Sequence, residues 1–189
     1  MRELATTRAT PVDPDRPDRP PCRIADHPSP AGRDVMSIQP SRMRDHWWWR
    51  PGWRPGRRMY AWHITLANQP DLHAAVRDCQ ARLDGLPGLD LVPTPWLHLT
   101  TQGIGFTDEV PDADVRDIIN GAAERLATTP PITVGAGPLT VDLEGVTLPV
   151  APVGELRLVR EALRAAIAGA RSPAHVPETA DWVPHISVA

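Results

Sequence analysis

The sequence predicts an α+β fold with largely antiparallel sheets and helices on the outer side. Three observations carry that expectation. Apolar and polar residues alternate from Met59, three later segments place apolar residues at helical spacing, and the order is β-α-β followed by α-β-β-α-β.

The elements follow in chain order. Residues 1–45 place Pro at 11, 14, 17, 20, 21, 28, 30 and 40 among Asp, Arg and Ser. Too little apolar surface is present to offset the entropy of ordering, so a disordered tail is expected, with Met36 and Met43 as alternative starts. Residues 46–58 form a lead-in that carries four of the seven Trp, interleaved with Arg. Such a stretch can stack bases and grip phosphates, but rings that cover an open edge or end of the sheet are the weightier expectation.

A domain is expected over residues 59–189. Tyr60, Trp62, Ile64 and Leu66 alternate with Ala61, His63 and Thr65, which predicts a strand over Met59–Ala67. Pro70 suits a first helical turn, and Leu72, Ala75, Val76, Cys79 and Leu83 then predict a helix ending before Gly85. A strand is expected over Trp96–Gln102. A second helix after Pro111 carries Val115, Ile118, Ile119, Ala122 and Leu126 on one face. Ile132–Val134 and Leu139–Val150 read as β-rich. Leu156, Val159, Leu163, Ile167 and Ala170 predict a third helix, and Val183–Val188 a closing strand.

Composition narrows the function classes. Of the 189 residues, 41% are hydrophobic and 23% charged, an ordinary globular balance. No run approaches the roughly 20 apolar residues of a membrane span, and the N-terminus lacks the apolar core of a secretory signal. Cys22 and Cys79 give no disulfide framework and no CxxC pair, so a cytoplasmic location is expected. All 20 basic residues are Arg. Residues 1–58 hold 12 Arg against 7 Asp and Glu, a net of +5, whereas residues 59–189 hold 8 against 16, a net of −8. Clustered Arg can attract phosphates, although solvated charge is the commoner use of such a segment.

Within residues 59–189 three His-x-Ser/Thr triplets occur: His63-Ile64-Thr65, His98-Leu99-Thr100 and His185-Ile186-Ser187. Chance alone gives about 0.7 for this composition, so context has to discriminate. His98 and His185 sit on strands that close corresponding halves, each reached from a helix through a Pro-containing loop. On a strand, His98 and Thr100 share one face, as do His185 and Ser187, while Leu99 and Ile186 point to the core. Two imidazoles can serve as general base and general acid, and the hydroxyls can bond the non-bridging oxygens of a phosphate ester. His63 is expected to be a satisfied polar residue, although its strand face could line the same groove. His46, His73 and His175 have no partner pattern and read as surface residues. No His/Cys/acid set has zinc-like spacing, and the glycines form no phosphate loop.

With these residues the chain resembles the 2H phosphoesterase superfamily, whose best-known branch is the 2′-5′ RNA ligase and RNA 2′,3′-cyclic phosphodiesterase family. Its hallmark is a pair of H-x-[ST]-x motifs, matched by His98-Leu99-Thr100-Thr101 and His185-Ile186-Ser187-Val188. The resemblance covers Met59 to Ala189. It implies a bilobal α+β fold with a central groove. It also implies His98 and His185 as the catalytic acid/base pair, and Thr100 and Ser187 as phosphate contacts. No metal or cofactor is implied. The expected partners are RNA ends or cyclic nucleotides, bound by a monomer away from any membrane. The expected activity is a 2′,3′-cyclic phosphodiesterase. The alternatives are a nucleotide- or RNA-binding module without turnover, or an inactive fragment, because the chain stops one residue past the second motif where relatives continue. On that ground the last strand is expected to fray.

Overall fold

A computed structural model describes residues 42–177 and 182–189. The tail expected over residues 1–45 therefore lies outside the described residues except for its last four.

Strand β1 (Met59–Thr65) pairs antiparallel with β2 (His98–Phe106), and helix α1 (Pro70–Leu83) lies between them in sequence. Helix α2 (Asp112–Leu126) follows β2. A second antiparallel sheet is organised around β5 (Val146–Ala151). β3 (Gly135–Ala136) and β4 (Thr140–Val141) pair with opposite ends of β5. β6 (His185–Ser187) must take the other edge, because Thr147 is paired with both Thr140 and Ser187. Helix α3 (Val153–Ala170) runs between β5 and β6 in sequence.

Two larger apolar clusters result among the described residues, beside a small one of Ala122, Leu163 and Ala166 between α2 and α3. One gathers Leu97 and Leu99 of the β2 region, Val146, Leu148 and Val150 of β5, Ile186 and Val188 around β6, Val76 of α1 and Leu156 of α3. The other packs Ile104, Ile118 and Ile167 together, so that α2 and α3 cover the inner face of β1 and β2 alongside Tyr60 and Trp62. Leu97, Leu148, Leu156, Ile118 and Ile167 are all fully buried. Each such side chain stabilises the fold by about 1.5–3 kcal/mol through burial. Cys79 is fully buried on the inward face of α1.

Several boundaries differ from the sequence expectation. The strand expected at Trp96 starts at His98, because Thr94–Trp96 closes a 3₁₀ turn in which Trp96 N–H donates to Pro93 O at 2.8 Å. Pro95 fits that turn and could not feed a sheet ladder. Ile132–Val134 joins no ladder, and pairing starts at Gly135. The run expected over Leu139–Val150 is split by a turn in which Asp142 N–H donates to Gly145 O at 2.8 Å.

The closing strand is tied down rather than frayed. Val188 N–H donates to Val146 O at 2.8 Å, and Val146 N–H donates to Ala189 O at 2.8 Å. The Val188 carbonyl accepts from Val92 N–H at 3.0 Å and from the buried Gln80 amide at 2.9 Å. The same Gln80 amide donates to Val92 O at 2.7 Å, so one α1 side chain links the loop before β2 to the chain after β6.

Candidate active site

The two motif strands are built alike. Leu99 and Ile186 are each 3% exposed and anchor their strands in the shared core. The alternation then sets His98 and Thr100 on the exposed face of β2, and His185 with half-buried Ser187 on the corresponding face of β6. β2 and β6 lie against one another without sharing a ladder. Trp182 indole N–H, just ahead of the second motif, donates to the Thr100 carbonyl at 3.0 Å and links the two directly.

The imidazoles share a local device. His98 Nδ1 lies 2.7 Å from Trp96 O, and His185 Nδ1 lies 2.8 Å from Val183 O. A carbonyl oxygen only accepts, so Nδ1 carries the proton in both rings. Each Nε2 is thereby left as the basic nitrogen of a neutral ring, or as a donor once the ring is protonated. Two rings held in this tautomer, each beside a hydroxyl residue, form a set suited to proton transfer at a phosphate ester.

β2 carries two bulges. Tyr60 and Ala61 pair with Gly105 and Gly103, and Trp62 and His63 pair with Gln102 and Thr100, so Ile104 and Thr101 are the extra residues. Gly105 adopts φ +151°, where a Cβ would meet Val110 Cγ2 at 2.9 Å. The bulge at Thr101 is pinned on several sides. Thr101 hydroxyl donates to Trp62 O at 3.0 Å, and Arg160 Nε–H of α3 donates to Thr101 O at 3.1 Å. The neighbouring Gln102 amide donates to Pro177 O at 3.0 Å.

The bulge brings a third histidine to the site. His63 pairs across from Thr100, and Thr65 pairs across from His98. His63 Nδ1 is 3.2 Å from Thr100 Oγ1. The rings of His63 and His98 stand edge to face, with centroids 4.4 Å apart and planes at 81°. Partial burial first, and the nearby His98 second, hold the His63 pKa below the ordinary imidazole value. The expectation of a merely satisfied polar residue therefore understates His63. Its His-x-Thr spacing was visible in the sequence; the bulge that aims it was not.

The other histidines serve the scaffold. His73 is half-buried rather than a surface residue, with Nε2 2.7 Å from Leu66 O, and it ties α1 to the end of β1. His175 Nδ1 lies 2.8 Å from Ser172 Oγ in the turn after α3. His46 packs edge to face on Trp47. Among the described residues, no group of three or more His, Cys, Asp or Glu is placed to hold a metal ion. No described helix is long and apolar enough to cross a membrane.

The Trp/Arg lead-in is held by carboxylates. Glu144, in the β4–β5 turn, accepts from Arg44 Nε at 2.6 Å and from Trp48 Nε1 at 3.0 Å, and also pairs with Arg50. Arg44 and Arg50 flank the Trp48 ring at 5.3 and 5.2 Å. Asp108 accepts from Arg54 and Arg57 at 2.8 Å each, and Arg57 also pairs with Glu109 while lying over the Phe106 ring. Trp53 meets the same Phe106 ring edge-on at 5.2 Å. The lead-in thus packs along the far end of the β1–β2 pair and the β4–β5 turn. Trp47 and Trp49 stay 78% and 62% exposed.

A family model described as the 2′-5′ RNA ligase superfamily matches residues 69–189. No curated protein matches the chain. Among solved structures, the crystal structure of TT0787 of Thermus thermophilus is similar, with a TM-score of 0.52 and 21% identity over 70% of this chain and 72% of that one. At that identity the likeness is one of fold. The family match spans both His-x-Thr/Ser motifs and well over half of the residues, and the chain belongs to the 2′-5′ RNA ligase superfamily.

Proposed function

We propose that this chain hydrolyses 2′,3′-cyclic phosphates on RNA ends or small nucleotides, with His98 and His185 as the acid/base pair. One observation carries the reading. Both motifs hold their imidazole by the same Nδ1–H bond to the carbonyl two residues back, at 2.7 and 2.8 Å. That bond leaves Nε2 as the working nitrogen in each.

The chemistry is a displacement at phosphorus by water. One neutral His takes a proton from the water as its oxygen bonds phosphorus. The other, as imidazolium, gives its proton to the ribose oxygen whose bond to phosphorus breaks. The product is a ribose 2′- or 3′-phosphate, and the two rings have exchanged protonation states. Thr100 and Ser187 donate hydroxyl hydrogens to the non-bridging oxygens and hold phosphorus in line. The Nδ1–H bonds fix each ring's tautomer and swing, as an orienting partner does for any acid/base histidine. None of these steps calls for a metal ion.

The test is ³¹P NMR of uridine 2′,3′-cyclic monophosphate incubated with the full chain in EDTA. The expected result is conversion to one nucleoside monophosphate, with a bell-shaped pH dependence of turnover. Binding of the cyclic nucleotide without turnover would overturn the hydrolase in favour of a binding module. Turnover lost in EDTA and restored by a divalent metal would overturn the two-histidine mechanism.

A further inference from the structure

We infer that His63 is a third histidine of this site, a positioning residue whose Nδ1–H donates to the Thr100 hydroxyl and so aims that hydroxyl's hydrogen at the substrate phosphate. The inference rests on the phosphoesterase reading for its substrate, but its geometry stands apart from that reading.

The register is the first argument. Continuing the ladder from Trp62–Gln102 without the extra residue would set His63 opposite Thr101 and Thr65 opposite Leu99. Thr101 is 2% exposed and Leu99 3%, so both point into the core. A one-residue slip in a strand exchanges its two faces. The Thr101 bulge therefore puts His63 and Thr65 on the same face as Thr100 and His98. The result is a reciprocal square in which two His-x-Thr triplets run antiparallel, each imidazole opposite the other strand's threonine. Bulges re-aim side chains next to active sites, and this one is fixed by bonds from Thr101 and from Arg160 of α3.

Hydrogen-bond supply is the second argument. Thr100 has one hydroxyl hydrogen. If that hydrogen were given to His63, Thr100 would offer a phosphate oxygen only lone pairs, and the two would repel. If His63 Nδ1–H donates instead, Thr100 keeps its hydrogen for the phosphate. The 3.2 Å contact serves substrate binding only in the second arrangement. The third argument is contact. His63 stands edge to face with His98 at 4.4 Å, so it also limits how that ring can swing. A neutral His63 suits both tasks, because a second cation beside His98 would oppose protonation of His98 during turnover.

The experiment has two arms. In the first, His63→Ala, His63→Phe and His63→Asn are compared with the parent chain on uridine 2′,3′-cyclic monophosphate. Asn can place an N–H where Nδ1–H stood; Phe keeps the ring without a donor. Ala and Phe should raise KM on the order of 10-fold, the scale of one lost polar contact, and Asn should restore most of it. Equal KM in all three variants and the parent, or equal damage in all three, would overturn the positioning role.

The second arm needs no turnover. Side-chain ¹⁵N NMR of the free, full chain should show the His63 ring protonated at Nδ1, and Thr100→Val should remove that bias. An Nε2–H tautomer in the parent chain would overturn the inference. If the parent hydrolyses no cyclic nucleotide but the tautomer and its Thr100 dependence are present, the proposed activity falls and the His63 geometry stands.

Discussion

The two motif strands use one device in two settings, and the settings differ more than the motifs do. On β2, His98 faces Thr65 and Thr100 faces His63, so the exposed face holds four polar side chains in a square. On β6, His185 faces Pro149 and Ser187 faces Thr147, whose hydroxyl donates to Asp142 at 2.7 Å and is engaged elsewhere. The first half-site therefore has a neighbouring side chain that can direct its hydroxyl. In the second, the ring is held by its own backbone and an apolar neighbour. The shared part is backbone geometry, which three residues can encode. The unshared part depends on the partner strand and its register.

The largest expected effect tests what the halves share. His98→Ala and His185→Ala should each lower kcat on the order of 10²-fold or more, the scale of general acid–base catalysis. Comparable losses would mean that both rings move protons in the rate-limiting step. A loss below about 10-fold in one of them would break the comparison, leaving a single acid/base histidine and a spectator.

The next effect tests what the halves do not share. Thr100→Ala and Ser187→Ala each remove one hydrogen bond to a charged phosphate. Each should cost on the order of 10-fold in kcat/KM, expressed chiefly in KM. The difference appears on combination with His63→Ala. Thr100→Ala with His63→Ala should be far from additive, because the threonine is the group through which His63 acts. Ser187→Ala with His63→Ala should be additive. Additivity in both pairs would dissolve the asymmetry between the half-sites.

Much of this arrangement was legible in the sequence, and the reason is local. Period-2 alternation through Leu97-His98-Leu99-Thr100 suffices to put His98 and Thr100 on one face, and the same holds for Pro184-His185-Ile186-Ser187. The helices at 70–83, 112–126 and 153–170 were marked by apolar spacing, the first two also by Pro near their starts. What stayed hidden depends on partners distant in sequence. No pattern in Thr100-Thr101-Gln102 announces a bulge; it becomes visible only when Trp62 O and Arg160 are found bonded to Thr101. The security of the last strand was equally non-local, since Val188 is held by Gln80, Val92 and Val146. Arginine content left two readings open. The excess positive charge before residue 59 allowed phosphate contacts beside the commoner use as solvated charge, and the structure pairs Arg44, Arg50, Arg54 and Arg57 with Glu144, Asp108 and Glu109.

That last pairing leads to the smallest expected effect. Glu144 has a side chain 21% exposed, and it binds Arg44, Arg50 and Trp48 together. Desolvation pushes its pKa up, but the Trp48 and Arg44 hydrogen bonds and the arginine charges outweigh that, so the carboxyl lies below its ordinary value and is ionised at neutral pH. Glu144→Gln keeps the shape and removes the charge. Because partly exposed ion pairs are screened by water, the loss should be about 1 kcal/mol, or about 2–4 °C in Tm for a chain of this size. Trypsin should then cut faster after Arg44, since its side chain loses the anchor that holds the lead-in against the β4–β5 turn. Turnover and KM for a cyclic nucleotide should stay at the parent values, because Arg54 and Arg57 of the lead-in remain committed to Asp108 and Glu109. A KM rise as large as that from Thr100→Ala would instead make the lead-in part of the nucleotide grip. The useful comparison would then be between the histidine face and the Trp/Arg segment, and the two half-sites would come second.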